Sequence, residues 1–253
     1  MFKHETQVIK FLLQWYSMNA RKLPWRKKNN LNLPHPYFVF VSEYMLQQTT
    51  VNTVKNKFND FILKWPSLNK LAQTSEPNIL KFWSGLGYYS RARNLLKSAK
   101  IIKNNFKNKI PETYDELIQL PGIGDYTAKA ILGIGYNKSV MPLDANIERI
   151  LVRLHAIDKP INKVKNKLKD LGKKFISDKF SSNLIQSFMD YGSEICLPRN
   201  PKCNICGINK FCQSYKKNLQ QKIPLKQKKK SNKPIKYTRA YVIVNEKNEI
   251  LVR

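Results

Sequence analysis

All four cysteines of this 253-residue chain fall between Cys196 and Cys212, in the order Cys196, Cys203, Cys206, Cys212, spaced C-x6-C-x2-C-x5-C. Thiolates are the ligands of zinc and of iron–sulfur clusters, and four so close in sequence suit either a zinc ion or a [4Fe–4S] cluster. The two-residue step lets Cys203 and Cys206 approach one centre from a single turn. Pro198, Pro201 and Gly207 fit a loop wrapped around it. Spacing alone leaves zinc and iron–sulfur both open. Residues 1–7 are polar and mixed in charge, without the basic-then-apolar layout of a secretory signal. A cytoplasmic setting is therefore expected, where disulfides are disfavoured and metal ligation is favoured.

Two carboxylates carry a second kind of chemistry. Glu43 lies in VSEYMLQQT (41–49), a largely apolar segment. Burial raises a carboxyl pKa, which is what a general acid at neutral pH requires; a solvated glutamate on a helix face is the plainer reading. Asp144 lies in MPLDANIERIL (141–151), just after Pro142 and at the start of a helical pattern. An N-cap alone would also explain an aspartate there. Between the two runs LPGIGDYTA (120–128), whose Gly122 and Gly124 permit positive φ and leave backbone N–H groups uncovered. Amides at a helix N-terminus suit a phosphate, although Gly-x-Gly is also an ordinary tight turn between helices.

These residues need elements to hold them. Val8, Phe11, Leu12 and Trp15 recur at helical spacing within 5–19, and 21–36 reads as a basic loop. Segment 37–48 is ambiguous: Phe-Val-Phe-Val favours a strand and EYMLQQ a helix. From 51 to 195 the chain reads as short helices with polar breaks, for example 51–64, 77–84, 88–106, 113–119, 125–135, 143–155 and 178–195. An all-α domain is expected. Residues 217–236, rich in lysine, read as a linker. RAYVIV and EILVR around NEKN (239–253) then read as two β-type runs that open a further domain.

The chain carries 37 lysines and nine arginines against 17 acids, a formal net charge of +29. Cations gain affinity for nucleic acid by displacing counterions from phosphate, so a polyanionic partner is the natural reading. A Lys- and Asn-heavy composition inherited from a biased genome produces the same count. No run of about 18 apolar residues is present, so no membrane span is expected.

In combination the motifs are more specific than any one of them. LPGIGDYTA, then PLDAN some twenty residues on, then the four-cysteine spacing, together resemble the endonuclease III superfamily of DNA glycosylases. RKLPWR (21–26), PYFVFVSEYMLQQTTVNTV (36–54) and GLGYYSRARNL (85–95) are close to segments of its MutY-type adenine glycosylases. The resemblance covers about residues 5–215. It implies an all-α helix–hairpin–helix fold: a six-helix barrel (30–135) facing an iron–sulfur domain (1–29 and 136–216) across a DNA cleft. A truncated NUDIX-like β stub at 237–253 would follow the linker.

The resemblance also implies roles. Glu43 protonates the adenine ring, Asp144 stabilises the sugar cation or bonds to it, and Asn146 supports it. Leu46, Gln48 and Tyr88 enter the duplex while adenine is flipped out. Arg26, Gly122 and Gly124 fall on the DNA side, and the four cysteines hold a structural [4Fe–4S] cluster. Tyr126 occupies the hairpin position where bifunctional relatives carry a Schiff-base lysine, so a monofunctional enzyme is implied, with Lys129 a phosphate or solvent contact. The implied partner is double-stranded DNA with A:8-oxoguanine or A:G mispairs, bound by a monomer. A related lyase, a thymine–mismatch glycosylase and a non-catalytic DNA-binding relative are the competing functions. Two departures from the family bear on DNA affinity: Ala145, where glycine is usual, and Glu148, near a usually basic position.

Overall fold

The computed structural model describes residues 3–225, 237, 239, 241–247 and 249–250. Twelve α-helices occur among them: α1 (Lys3–Asn19), α2 (Pro36–Leu46), α3 (Val51–Lys64), α4 (Leu68–Ala72), α5 (Glu76–Trp83), α6 (Ser90–Asn105), α7 (Tyr114–Ile118), α8 (Asp125–Ala130), α9 (Ala145–Leu154), α10 (Lys165–Lys173), α11 (Ser181–Glu194) and α12 (Gln213–Lys216). A π-helical turn, Ile131–Gly135, continues α8. No β-sheet is present among the described residues, only the isolated bridges Lys28–Pro34 and Val244–Ile250. The all-α expectation holds.

Helix α2 overrides its local propensity. Its β-branched and aromatic residues read as a strand at the start, yet Pro36 sits in its first turn and His35 caps it, Nδ1 accepting from Tyr37 N–H at 3.2 Å. Eight of its eleven residues are buried, from Tyr37 and Val39 through Met45. A helix enclosed on nearly all sides has no polar face, so the helical period is absent from its sequence. Helices α3 and α6 pack against it, with α4 and α5 on α6. On the other side α1 and α9 pack against α11. The π-turn touches both α2 and α11 and so joins the two groups. It allows close approach: a Cβ at Gly135 would meet Pro36 Cα at 3.2 Å, and one at Gly133 would meet Ile185 Cδ1 at 2.2 Å.

The segment expected to be a linker is bound near its start. Ile223 is buried, and its carbonyl accepts from Arg153 Nε at 2.8 Å. Residues 226–236 lie outside the described residues, as do 251–253 of the expected β stub. Where 241–250 is described, Asn245 N–H donates to Glu249 O at 3.1 Å across the predicted turn. Tyr241, Val242 and Ile243 beside it are exposed.

Candidate active site

Glu43, Asp144, Tyr126 and Asn146 come from α2, the cap and first turn of α9, and α8, and all four line one cleft of about 500 Å³. That volume lies within the roughly 300–1,000 Å³ typical of small-molecule pockets. Trp25, Leu46, Val51 and Met189 give the cleft apolar walls.

Glu43 is buried, and burial pushes its carboxyl up to about 8, against the pull of a hydrogen bond from the Tyr126 hydroxyl, with the nearby Asp144 charge adding to the rise. Loss of hydration penalises the carboxylate far more than one hydrogen bond restores it. The Tyr126 hydroxyl is itself held well above the usual phenol range, by burial first and then by Glu43 and Asp144. It remains a donor throughout the physiological range.

Asp144 is indeed an N-cap: Oδ1 accepts from Ile147 N–H at 2.7 Å. Its other oxygen, Oδ2, accepts from Asn146 Nδ2 at 2.7 Å. Burial raises its carboxyl, countered by the bonds from Ile147 and Asn146 and by the charge of Arg149. The capping and catalytic readings of this residue are thus compatible, because the cap fixes the carboxylate at the rim of the cleft. A chain of contacts continues behind it. Asn146 Oδ1 accepts from Arg149 Nη2 at 2.8 Å, and Arg149 Nε donates to the Cys196 carbonyl at 2.7 Å.

Arg26, expected on the DNA side, lines the cleft but spends its fork on Asp190, with Nη1–Oδ2 and Nη2–Oδ1 both 2.7 Å. Arg21 Nε joins the same fully buried carboxylate at 2.6 Å. Together they tie the basic loop to α11. Gly122 and Gly124 differ from each other. Gly122 has φ +82°, and a Cβ there would meet Asn94 and Tyr44 at 3.0 Å; Gly124 is extended and faces open space. Only the first needs glycine's conformational freedom.

Leu46 lines the cleft, while Gln48 and Tyr88 are exposed beyond it, both at positive φ (+55° and +46°). Lys129 pairs with Asp125 at 2.8 Å. Glu148 is buried and paired with Lys165 from α10, so its charge is neutralised. Ala145 is exposed on the cleft wall.

The four cysteines ring a separate cavity behind α9, and among the described residues no three His, Cys, Asp or Glu side chains converge as single-ion ligands do. Tyr191 hydroxyl donates to Cys206 Sγ at 3.2 Å, and Arg153 Nη1 to Cys196 Sγ at 3.3 Å. Burial raises the Cys203, Cys206 and Cys212 thiols, the last to about 11. Arg153 is 1% exposed, and its other bonds go to the carbonyls of Cys196, Leu197, Pro198 and Ile223. A buried guanidinium surrounded by carbonyls and sulfur calls for compensating negative charge.

Sequence reading missed Arg149 and Arg153. Their four-residue spacing on α9 placed them on one face, but nothing local said that the face met the cysteines. It also missed Gln186, which lines the cleft and whose buried Oε1 has no hydrogen-bond partner.

Residues 41–174 match the HhH-GPD superfamily of base excision DNA repair proteins. The chain belongs to that superfamily. Among HhH-GPD relatives it is 43% identical over 222 residues to an adenine DNA glycosylase of Buchnera aphidicola subsp. Schizaphis graminum (strain Sg), covering 87% of this chain and 62% of that one. It is 42% identical over 247 residues to the adenine DNA glycosylase of the Baizongia pistaciae subspecies (strain Bp), covering 95% and 67%. The chain thus spans about two thirds of the length of these relatives. A thermostable thymine-DNA glycosylase shares the HhH-GPD fold with a TM-score of 0.76 and 26% identity, covering 85% of this chain and 98% of that structure.

Proposed function

We propose that the protein is a monofunctional adenine DNA glycosylase of base excision repair, acting on adenine opposite 8-oxoguanine or guanine in duplex DNA. The observation that carries this reading is a carboxyl held protonated at neutral pH, Glu43, in one cleft with the capped carboxylate Asp144. Glu43 donates its proton to the flipped adenine ring, and the C1′–N9 bond breaks with its electron pair leaving on the base. Asp144 offsets the positive charge that develops on the sugar, or bonds to it, before water completes the hydrolysis. Asn146 orients Asp144, and Tyr126 orients Glu43. The likeness to adenine DNA glycosylases at 42–43% identity supports adenine over thymine, to which only the more distant structural likeness points.

The domain division 1–29 with 136–216 against 30–135 belongs to this reading, and the packing of α1, α9 and α11 apart from α2–α6 supports it. So does a [4Fe–4S] cluster on Cys196, Cys203, Cys206 and Cys212. Four thiolates around such a cluster carry net negative charge, which answers the buried Arg153. When bound, the cluster supplies cross-linking of a loop with little core of its own. Leu46, Gln48 and Tyr88 enter the duplex, Gly122 and Gly124 lie against phosphate, and the enzyme works as a monomer. No helix among the described residues is long and apolar enough to cross a membrane.

The test is single-turnover excision from A:8-oxoguanine and A:G duplexes beside T:G and thymine-glycol duplexes. Adenine should be released from the first two, with no strand cut until alkali is added and no borohydride-trapped adduct. Release of thymine instead, or a trapped adduct, would overturn the assignment.

A further inference from the structure

Arg91, in the first turn of α6, is 5% exposed. Its guanidinium is spent on carbonyls of two separate segments. Nη1 donates to Tyr44 O (3.3 Å), Met45 O (2.7 Å) and Gln47 O. Nη2 donates to Leu86 O (2.8 Å) and Gly87 O (3.0 Å), and Nε to Tyr88 O (3.4 Å). The first set are carbonyls at the C-terminus of α2, which have no partner within their own helix. That end of a helix is also the one that favours a cation.

Both segments then turn sharply. Beyond α2, Gln48 has φ +55°; in the other segment Gly85, Gly87 and Tyr88 have φ +86°, +68° and +46°. For Gln48 and Tyr88 this is a conformation that side chains seldom adopt, and it persists only where the surroundings hold it. Both residues are exposed, Tyr88 by 61%. The Arg91 fork is what the two turns have in common. Its Cζ also lies 5.8 Å from the Tyr88 ring and 5.4 Å from that of Trp83.

We propose that Arg91 is a positioning residue for base extrusion: one guanidinium locks residues 44–47 to residues 86–88, so that Gln48 and Tyr88 meet the duplex as a single preformed lip. This rests on the reading in which Gln48 and Tyr88 enter DNA. Extrusion costs unpairing and unstacking. Loops that must order on contact add to that cost, and loops already ordered do not. The work requires arginine, whose planar five-donor fork spans both segments; a lysine ammonium reaches one side only.

The test compares the full chain with Arg91→Lys and Arg91→Met on two substrates at saturating enzyme. One holds adenine opposite 8-oxoguanine in a continuous duplex; the other holds the same adenine and 8-oxoguanine within a bulge of flanking mismatches, where little extrusion is needed. The expected result is a fall of about tenfold to a hundredfold on the duplex and less than threefold on the bulge. Equal falls on both would mean that Arg91 merely supports the fold around Glu43, and no fall on either would remove the role. In a background with both Gln48→Ala and Tyr88→Ala, adding Arg91→Lys should cost less than threefold more; an undiminished penalty would also overturn the proposal. Fluorescence of 2-aminopurine at the target position reports extrusion without excision. It should rise at least tenfold more slowly in Arg91→Lys, and an unchanged rise would count against the proposal even if the adenine reading itself failed. Should neither variant fold, amide exchange in the unaltered protein decides. Residues 46–48 and 86–88 should open together, and independent opening would refute the lock.

Discussion

At neutral pH Glu43 carries its proton because the fold has removed the water that would stabilise its charge. Excision should therefore fall as pH rises through about 8, where the acid is lost, and fall again at acid pH, where Asp144, its carboxyl raised by burial, takes up a proton. Replacing the carboxyl with an amide keeps the shape and removes the proton. Glu43→Gln should cost roughly 10²–10⁴-fold in single-turnover rate, the usual contribution of a general acid, with duplex binding retained. Excision within tenfold of wild type would end the general-acid role. The same residue makes a stability claim. Its folded pKa, about 8, lies above the ordinary 4.5, so between those values the folded chain holds a proton that the unfolded chain has released. Stability must then fall as pH rises across that window. Glu43→Gln removes the dependence: its melting temperature should match wild type near pH 4 and exceed it at pH 9. A difference independent of pH would show that burial does not set this acidity. Asp144→Asn separates two roles in one residue. Asparagine caps a helix about as well as aspartate, so Tm should hardly move. An amide cannot offset a developing sugar cation, so excision should fall by about 10²–10³-fold, as when one charge-stabilising group is removed. Loss of stability with retained rate would reverse the assignment.

Elements show why some of this was legible in the sequence and some was not. The hairpin LPGIGDYTA, the capped start of α9 and the cysteine spacing announce themselves locally, because turns, caps and ligand loops have residue requirements at fixed offsets. Helix α2 does not. Its polar face is missing because it is buried almost throughout, and Phe38 to Val41 then look like a strand. Helix α10 dissolves into a lysine-rich stretch where only Leu168 and Leu171 mark the buried side. Long-range polar partners are invisible in principle: nothing near Arg91 names the carbonyls of α2, and nothing near Arg26 names Asp190. The cysteine loop combines both cases. Its ligand spacing is local, while its anchorage is distant, with Phe11 and Trp15 edge-on to Tyr191 at 5.9 and 5.0 Å. Phe11 also fills the space at Gly207, where a Cβ would meet its ring at 2.2 Å. The loop buries little apolar surface of its own, so ligation should supply much of its folding free energy. Cys203→Ser should lower the yield of folded protein and its melting temperature, while the fraction that does fold excises adenine at a rate within a few-fold of wild type. Soluble, fully stable variant protein without absorbance near 400 nm would refute the structural role.

Across the whole molecule the charge is lopsided in a way that separates binding from chemistry. Several of the few acids are withdrawn into pairs: Asp190 with Arg21 and Arg26, Glu148 with Lys165, Asp125 with Lys129, and Glu76 with Arg93. The net +29 is therefore expressed mainly by exposed lysines, and lysine at phosphate works by releasing counterions. Salt acts on that term directly. For about 6–10 phosphate contacts, raising salt from roughly 50 to 200 mM should weaken duplex binding by about 10³–10⁵-fold. The cleft is a different environment. Glu43 is buried, Asp144 is fixed by its cap, and charges that water does not surround are screened little by ions. The single-turnover excision rate, measured with enough enzyme to saturate DNA at every salt concentration, should then change by less than about threefold across the same range. A rate that falls in step with affinity would mean that the lysine field takes part in extrusion or bond breaking. A binding slope near zero would mean that the lysines record genome composition and are not a footprint for DNA.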